Sequence, residues 1–339
     1  MKKIILICAL AFSIVLSACS SVDNQNNSSD MITNADTVKL GLGIIANRNS
    51  SSASTEDGFS QTSCTVAAIC IDDSGKITKC VIDELEVKTT ISASGKITSD
   101  LSYQAKTKNE LKNEYGMEKA SSIGKEWYEQ VKGFCTYVTG KTLDEIENIA
   151  VDKNEYPTDS DLKASVTISI GNFKQALKKA FENATNSGSK KDDKLGLGIV
   201  SSIENSKDAS QDVGTVQTDI TISAVTYGTA GNVTANKIDE VRCVTNFDNS
   251  GKITTNSSGE IKTKTELGKD YGMKAASSIG KEWNEQAKSL EKLLSGKTIT
   301  DIGNIALDES KKPTSSDIKA EVTIAIDKIK QAIKKAGTM

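Results

Sequence analysis

"SDLKASVTISIGNFKQALKKA", from Ser160 to Ala180, occurs again as "SDIKAEVTIAIDKIKQAIKKA", from Ser316 to Ala336. In each copy apolar residues recur every three or four positions, which predicts a C-terminal helix with one apolar stripe. The stripe comprises Val166, Ile170, Phe173, Leu177 and Ala180, and in the second copy Val322, Ile326, Ile329, Ile333 and Ala336. The β-branched run "SVTISI" leaves a strand ending at Gly171 as the alternative. If the run is helical, Thr167 and Thr323 lie in or just before the first turn.

The rest of the chain is duplicated in the same way. "YGMEKASSIGKEWYEQ", which begins at Tyr115, recurs in similar form as "YGMKAASSIGKEWNEQ", which begins at Tyr271, 156 positions later. "KLGLG" occurs at Lys39 and again at Lys194, 155 positions later. A period of this length indicates two duplicated globular domains rather than a solenoid. We place the domains at residues 39–181 and 194–339, joined by a polar linker at 182–193.

Each repeat is predicted to have the same α+β plan. An antiparallel β-meander comes first, with the segments "CTVAAICID", "ITKCVID", "LEVKTTIS" and "ITSDLS" as its strands in the first copy. Gly75 and Gly95, matched by Gly231 and Gly251, supply the positive φ that hairpin turns require. A loop, a helix from about Lys125 to Val138 and the C-terminal helix complete each domain.

The N-terminus has the pattern of a bacterial lipoprotein signal. Lys2 and Lys3 precede an apolar run from Ile4 to Leu16, which is too short to span a bilayer. Small residues stand before Cys19, so we expect residues 1–18 to be removed and Cys19 to carry lipid; an ordinary secretory signal is the alternative. Residues 19–38 are rich in Ser, Asn and Asp, which is typical of a disordered tether. The protein is therefore expected to be extracytoplasmic and anchored to the cell membrane.

Composition excludes several kinds of chemistry. The chain has no His, so Ser-His and Cys-His triads are excluded and zinc hydrolase chemistry is disfavoured. Its net charge of −3 gives no general attraction to nucleic acid. Five cysteines follow Cys19, an odd number, so at least one thiol is unpaired; they are Cys64, Cys70, Cys80, Cys135 and Cys243. Cys70 and Cys80 flank a predicted hairpin and could pair across it, and free buried thiols are the alternative.

The repeated threonine has a structural and a chemical interpretation. At a helix N-terminus, a Thr hydroxyl can cap the helix or carry a phosphate ester in a site that favours anions. The run from Asp161 to Ser169 resembles the D-x-x-[ST]-G-A-T-x-[ST] motif of FMN-binding domains, in which the Thr carries FMN through a phosphoester bond. The family's Ser/Thr, Gly and Ala positions differ here: they hold Ala164, Ser165 and Val166, and in the second copy Ala320, Glu321 and Val322. A carboxylate at Glu321 would be unfavourable beside a phosphate.

The resemblance covers most of residues 39–339, in two copies, and includes the loop "YGMEKASSIG" and the Trp-x-x-Gln segment after it. It implies that Thr167 and Thr323 are FMN acceptors and that Asp161 and Asp317 serve recognition by an FMN transferase. The paired tyrosines are candidates to contact the flavin ring, because aromatic residues make up only 4% of the chain. Gly124 and Gly280 either permit close approach of the ring or start the following helix.

With the lipoprotein signal, this layout resembles flavinylated lipoproteins of extracellular electron transfer. The function implied is an electron carrier, not a turnover enzyme, that receives electrons from a membrane dehydrogenase and relays them to external acceptors. The alternative from another class is a cofactor-free surface lipoprotein that binds a ligand or a partner.

Overall fold

Each repeat begins with a three-stranded antiparallel meander. The computed structural model describes residues 36–338. The strand bounds are β1 Lys39–Ser51, β2 Gly58–Ile71, β3 Ile77–Ile91, β4 Lys194–Ser202, β5 Gly214–Tyr227, β6 Val233–Phe247 and β7 Ser258–Ile261. These strands pair in the orders β3-β2-β1-β7 and β4-β5-β6. Gly75 and Gly231, both at φ +77°, close the β2–β3 and β5–β6 hairpins, as predicted.

The meander has fewer and longer strands than the sequence predicted. "ITKCVID" and "LEVKTTIS" form the single strand β3, which pairs with β2 along its whole length. The prediction that "ITSDLS" forms a strand is wrong. Its first residue, Ile97, makes only an isolated bridge to Ile91. The Ile97 N–H instead donates to Asp208 Oδ1 in the second repeat, at 2.8 Å.

Ten short α-helices follow the strands, five in each repeat of the described chain. Their bounds are α1 Lys108–Leu111, α2 Trp127–Val138, α3 Leu143–Glu147, α4 Ser160–Lys163, α5 Gly171–Glu182, α6 Lys264–Leu267, α7 Trp283–Leu294, α8 Ile299–Gly303, α9 Ser316–Lys319 and α10 Asp327–Ala336. Two 3-10 turns, Lys112–Tyr115 and Gly268–Tyr271, follow α1 and α6. The α+β class is confirmed, and α2 starts two residues later than predicted.

The C-terminal helix begins later than the apolar stripe suggested. It starts at Gly171 in α5 and at Asp327 in α10, so Thr167 and Thr323 lie four residues before it and outside its first turn. "SVTISI" is not a strand either. Two backbone N–H groups of this segment bond to distant parts of the chain: that of Thr167 donates to Gln130 Oε1 at 2.7 Å and that of Ile170 to Glu155 O at 2.9 Å. Val166 and Ile170 are nevertheless fully buried, which is why they continue the helical spacing.

The two sheets pack face to face, and helices cover their outer faces. Residues from both sheets form one apolar core between them, including Leu42 and Val66 from the first sheet and Ile199 and Ile222 from the second. α2 and α5 cover the outer face of the first sheet, and α7 and α10 cover that of the second. The order is therefore helix, sheet, sheet, helix. Central strands are buried on both faces, which explains the nearly continuous apolar run "CTVAAICI" in β2.

The two repeats contact each other through reciprocal bonds. The Ala209 N–H donates to Gly95 O at 2.9 Å, and the Ala53 N–H donates to Gly251 O at 2.9 Å. The ion pairs Lys179–Glu266 and Lys335–Glu110, both 2.7 Å, repeat this exchange. In each case the second contact joins the residues equivalent to those of the first, 156 positions away, with the two repeats exchanged. The same relation holds across the two-fold interface of a homodimer. Residues 36–338 accordingly belong to one compact unit.

The segment between the repeats is packed along the first sheet. The Val38 N–H donates to Ser189 O, and the Leu40 N–H to Thr185 O, both at 3.0 Å. Ser189 is fully buried. Most of the predicted tether, the signal and Cys19 lie outside the described residues. Within 36–338, no helix is long and apolar enough to cross a membrane.

The repeated "KLGLG" lets the C-terminal helices approach the sheets closely. A Cβ atom on Gly43 would lie 1.8 Å from Ala176 O in α5, and one on Gly198 would lie 1.8 Å from Ala332 O in α10. These distances are far inside van der Waals contact, so only glycine permits this packing.

We predict that Gly43→Ala and Gly198→Ala each destabilise the protein by about 2 kcal/mol or more, because backbone must shift to admit the methyl group. Gly303→Ala is the matched control, since no described atom lies within 4 Å of its added Cβ and the site is exposed. Urea unfolding measures all three. Equal midpoints for Gly43→Ala and the parent would contradict the close packing.

Candidate functional site

The two predicted acceptor threonines make the same hydrogen bonds to equivalent glutamines. Each is half-buried in the segment before the C-terminal helix. The Thr167 N–H donates to Gln130 Oε1 at 2.7 Å, and its hydroxyl lies 3.2 Å from the same oxygen. Thr323 makes both bonds to Gln286 Oε1 at the same distances. Each threonine is therefore held mainly through its backbone.

The partner glutamines connect this segment to the "YGMEKASSIG" loop. Gln130 is fully buried in α2, and its Nε2 donates to Ser121 Oγ at 3.0 Å and to Lys125 O at 3.2 Å. Gln286 makes the equivalent bonds to Ser277 and Lys281. The Trp-x-x-Gln spacing was noticed in the sequence, but its contact with the threonine was not. One buried amide thus fixes the geometry of two loops.

The loop glycines are required for backbone conformation. Gly124 and Gly280 have φ of +60° and +62°, a left-handed conformation that favours glycine. No described atom lies within 4 Å of a Cβ built at either position, so no part of the described chain approaches them closely. Both precede the first residue of the following helix by three positions.

A Lys–Glu–Thr network, buried in the second repeat and half-buried in the first, lies on the outer face of each sheet and was missed from the sequence. Lys264 forms an ion pair with Glu240, with side chains only 6% and 13% exposed, and Glu240 accepts a bond from Thr221 Oγ1 at 3.1 Å. In the first repeat the corresponding bonds are Lys108–Glu84 at 2.6 Å and Thr65–Glu84 at 2.9 Å. The available signal was the recurrence of all three residues 156 positions apart.

The lysine of each network lies against the paired aromatic residues. Lys264 Nζ is 5.1 Å from the ring centres of both Tyr271 and Trp283, within cation–π range. Lys108 has the same relation to Tyr115, at 4.9 Å, and to Trp127, at 5.1 Å. Both tryptophans are 3% exposed and serve as core. The tyrosines are more exposed, Tyr115 by 39%, so they can contact a ligand.

In the second repeat these groups line one open cleft of about 300 Å³. Thr323, Tyr271 and Met273 contribute to its wall. Its cationic residues are Arg242, Lys264, Lys312 and Lys328, and its acidic residues are Glu204, Asp219, Glu240 and Asp327. Arg242 is paired with Asp219 at 2.6 Å. No salt bridge of the described chain neutralises Lys312 or Lys328, so these two can bind an anion.

The structure places the two predicted recognition aspartates on the surface. Asp161 and Asp317 are exposed in the first turns of α4 and α9. Asp317 does not line the cleft that contains Thr323. The cap of α4 is Asp159, which accepts bonds from the Asp161 and Leu162 N–H groups at 3.0 Å. The side chain of Asp161 is therefore not needed for capping.

The carboxylate of Glu321 is compensated locally. It forms an ion pair with Lys281 and accepts a bond from Ser289 Oγ at 3.1 Å. The hydrogen bond from Lys281 is the main cause of the lowered pKa of Glu321. The unfavourable charge expected at this motif position is thus offset by a neighbouring cation.

The cysteines do not form the pair considered from the sequence. Cys64, Cys70, Cys80, Cys135 and Cys243 are free. Cys70 belongs to the core between the sheets, whereas Cys80 packs against the outer core of the first sheet, so their side chains lie on opposite faces. Among residues 36–338 no cluster of His, Cys, Asp or Glu has the arrangement of a metal site.

Two buried aspartates support the short helices beside the networks. Asp83 Oδ1 accepts bonds from the Glu84 N–H at 2.8 Å and the Asn109 N–H at 3.0 Å, and Asp239 makes the equivalent bonds in the second repeat. Burial raises the pKa of Asp83 to about 7 and that of Asp239 to about 6.

Comparison with known proteins finds a similarity of limited extent. A chlorophenol reductase of Desulfitobacterium hafniense is 31% identical over 119 residues. The match covers 32% of this chain and 36% of the reductase, so the chain spans about a third of that protein's length. No family model and no solved structure matches.

We predict that Gln130→Leu and Gln286→Leu each lower the free energy of unfolding by about 1–3 kcal/mol, because buried donors and acceptors lose their partners. Hydrogen exchange at the Thr167 or Thr323 amide should accelerate in the corresponding variant. Gln104→Leu, at an exposed position, is the control. Unchanged amide protection in both variants would show that the glutamines do not hold the threonines.

Stability is predicted to fall as pH rises from 5 to 8. The folded-state pKa values of Asp83 and Asp239 lie above the ordinary value of 3.8, so the folded protein binds more protons in this window and loses stability as they dissociate. Asp83→Asn should reduce this loss by about 1–2 kcal/mol. Urea unfolding at pH 5 and pH 8 measures it, with the exposed Asp73→Asn as control. An identical pH slope in Asp83→Asn and the parent would refute the assignment.

Proposed function

We propose that the protein is a membrane-anchored, extracytoplasmic electron-transfer flavoprotein that carries FMN as a phosphoester on Thr167 and Thr323. It would relay electrons from a membrane dehydrogenase to external acceptors. The observation that most supports this proposal is the environment of Thr323, whose half-buried hydroxyl lines the same cleft as Tyr271, Lys312 and Lys328. The acceptor hydroxyl, an aromatic ring and unneutralised cations therefore lie around one space.

The threonine contacts are compatible with esterification. Formation of an ester removes the hydroxyl hydrogen and with it the 3.2 Å bond to the glutamine. The shorter bond from the Thr323 N–H to Gln286, at 2.7 Å, does not involve the hydroxyl and can persist. The segment therefore keeps its position after modification, and the same holds for Thr167 and Gln130.

The cleft also suits the other parts of FMN. Its volume of about 300 Å³ is at the lower end of the range for small-molecule sites, and it is open, so a covalently held ligand can extend into solvent. Lys312 and Lys328 can neutralise a phosphate, and the exposed part of Tyr271 offers a surface for a flat ring. When bound, FMN supplies the redox chemistry, and the protein supplies position and surrounding charge.

Two further findings agree with this proposal. Asp161 and Asp317 are exposed, so an FMN transferase can reach them on the folded protein. The relative that this chain matches over about a third of that relative's length is named as a reductase, which is a redox protein. The lipid anchor at Cys19 would keep the carrier beside its membrane electron donor.

Coexpression with an FMN transferase and export should add two FMN units to the mass of each chain, with loss of one water per ester bond. Thr167→Ala and Thr323→Ala should each remove one unit, and the double variant should carry none. The control replaces the exposed Thr158 and Thr314, which are also related by the repeat. Intact mass and in-gel flavin fluorescence give the readout.

An unchanged mass in the parent protein would refute the proposal, as would flavin retained in the double variant. A colourless protein that captures a defined ligand or partner would instead support the cofactor-free surface lipoprotein.

A further inference from the structure

Two cysteines of the first repeat meet where a strand crosses a helix. Cys80 is in β3 and Cys135 is in α2, and interaction with the Cys135 thiol is the main cause of the raised pKa of the Cys80 thiol. Both side chains are half-buried and pack against the same outer core. They are 55 positions apart in sequence, so the fold alone brings them together.

The second repeat shows that this crossing is a fixed feature of the fold. The positions equivalent to Cys80 and Cys135, 156 residues later, are Asn236 in β6 and Glu291 in α7. Asn236 Nδ2 donates to the Glu291 backbone oxygen at 2.9 Å. The same strand and helix positions are therefore in contact in both repeats, through a polar bond in one and a thiol pair in the other.

The other described cysteines lie in a different part of the fold. Cys64, Cys70 and Cys243 are buried in the core between the sheets. Cys80 and Cys135 lie on the other side of the first sheet, so the sheet separates the two groups.

We propose that Cys80 and Cys135 form a disulfide bond when the protein meets an oxidising environment, and that this bond links the helix carrying Gln130 to the sheet. The reaction is thiol–disulfide exchange with a disulfide-bearing oxidant. One deprotonated cysteine attacks that disulfide and releases one thiol, and the second cysteine then displaces the other. Two protein thiols become one disulfide, and the oxidant is reduced to two thiols.

The bond would act on the first candidate site alone. α2 carries Gln130, which holds the Thr167 N–H, so fixing α2 to β3 limits the motion of the Thr167 segment. The second repeat has no cysteine at either equivalent position, so the Thr323 segment would not respond. The effect does not depend on bound flavin, and it is tested separately from flavinylation.

The test uses the purified protein incubated with oxidised glutathione, then alkylated and digested without reduction. We expect a peptide pair linked through Cys80 and Cys135, with a mass two hydrogens below the sum of the free peptides. The oxidised protein should melt about 3 °C or more above the reduced protein, because the bond closes a long loop. Hydrogen exchange should slow at the Thr167 amide and not at the Thr323 amide.

Three variants make the result decisive. Cys80→Ser should remove both the linked peptide and the thermal shift, whereas Cys70→Ser, a buried cysteine ten positions earlier in the chain, should keep the linked peptide. Asn236→Cys combined with Glu291→Cys should form a second linked pair under the same conditions. Alkylation of both Cys80 and Cys135 in the oxidised folded protein would overturn the proposal, as would linkage of Cys80 to any other cysteine.

Discussion

The packing of two apolar sheet faces against each other is the constraint on which the rest of the structure depends. Val66 and Ile222 belong to this shared core, one from each repeat, and both are fully buried. A single repeat would expose one whole face of its sheet, and burial of that face is a large part of the stabilising free energy. The duplication therefore provides each repeat with its missing layer, and the reciprocal bonds at Gly95 and Gly251 fix the orientation.

This arrangement determines where the candidate sites can lie. Because the inner faces of the sheets pack against each other, the candidate sites lie on the outer faces and in the loops around the helices. Each outer face carries one Lys–Glu pair beside a tyrosine, and each C-terminal segment places one threonine next to a buried glutamine. A partly exposed hydroxyl on a rigidly held backbone is what a covalently attached cofactor requires. The two sites differ in their surroundings, since the residue corresponding to Lys312 is Tyr156.

Local patterns predicted much of the fold from sequence. The predicted turns at Gly75 and Gly231 were correct, because the left-handed backbone conformation strongly favours glycine. The predicted start of α5 was wrong, because Val166 and Ile170 are buried in a non-helical segment. Hydrophobic periodicity cannot distinguish such a segment from a helix. The Lys264–Glu240 pair left no local signal, because its partners are brought together only by the sheet and α6. The face-to-face packing of the sheets was not predicted, because strands that are apolar on both sides, such as β2, occur in a buried sheet of any kind.

The central functional claim is that Thr167 and Thr323 carry flavin in the cell. The most direct measurement is peptide mapping of the protein isolated from the membranes of its native cells, with mass spectrometry and flavin fluorescence of each peptide. We predict that FMN is found on two peptides, one containing Thr167 and the other Thr323. Unmodified peptides at both positions, or flavin attached to a different residue, would contradict the claim.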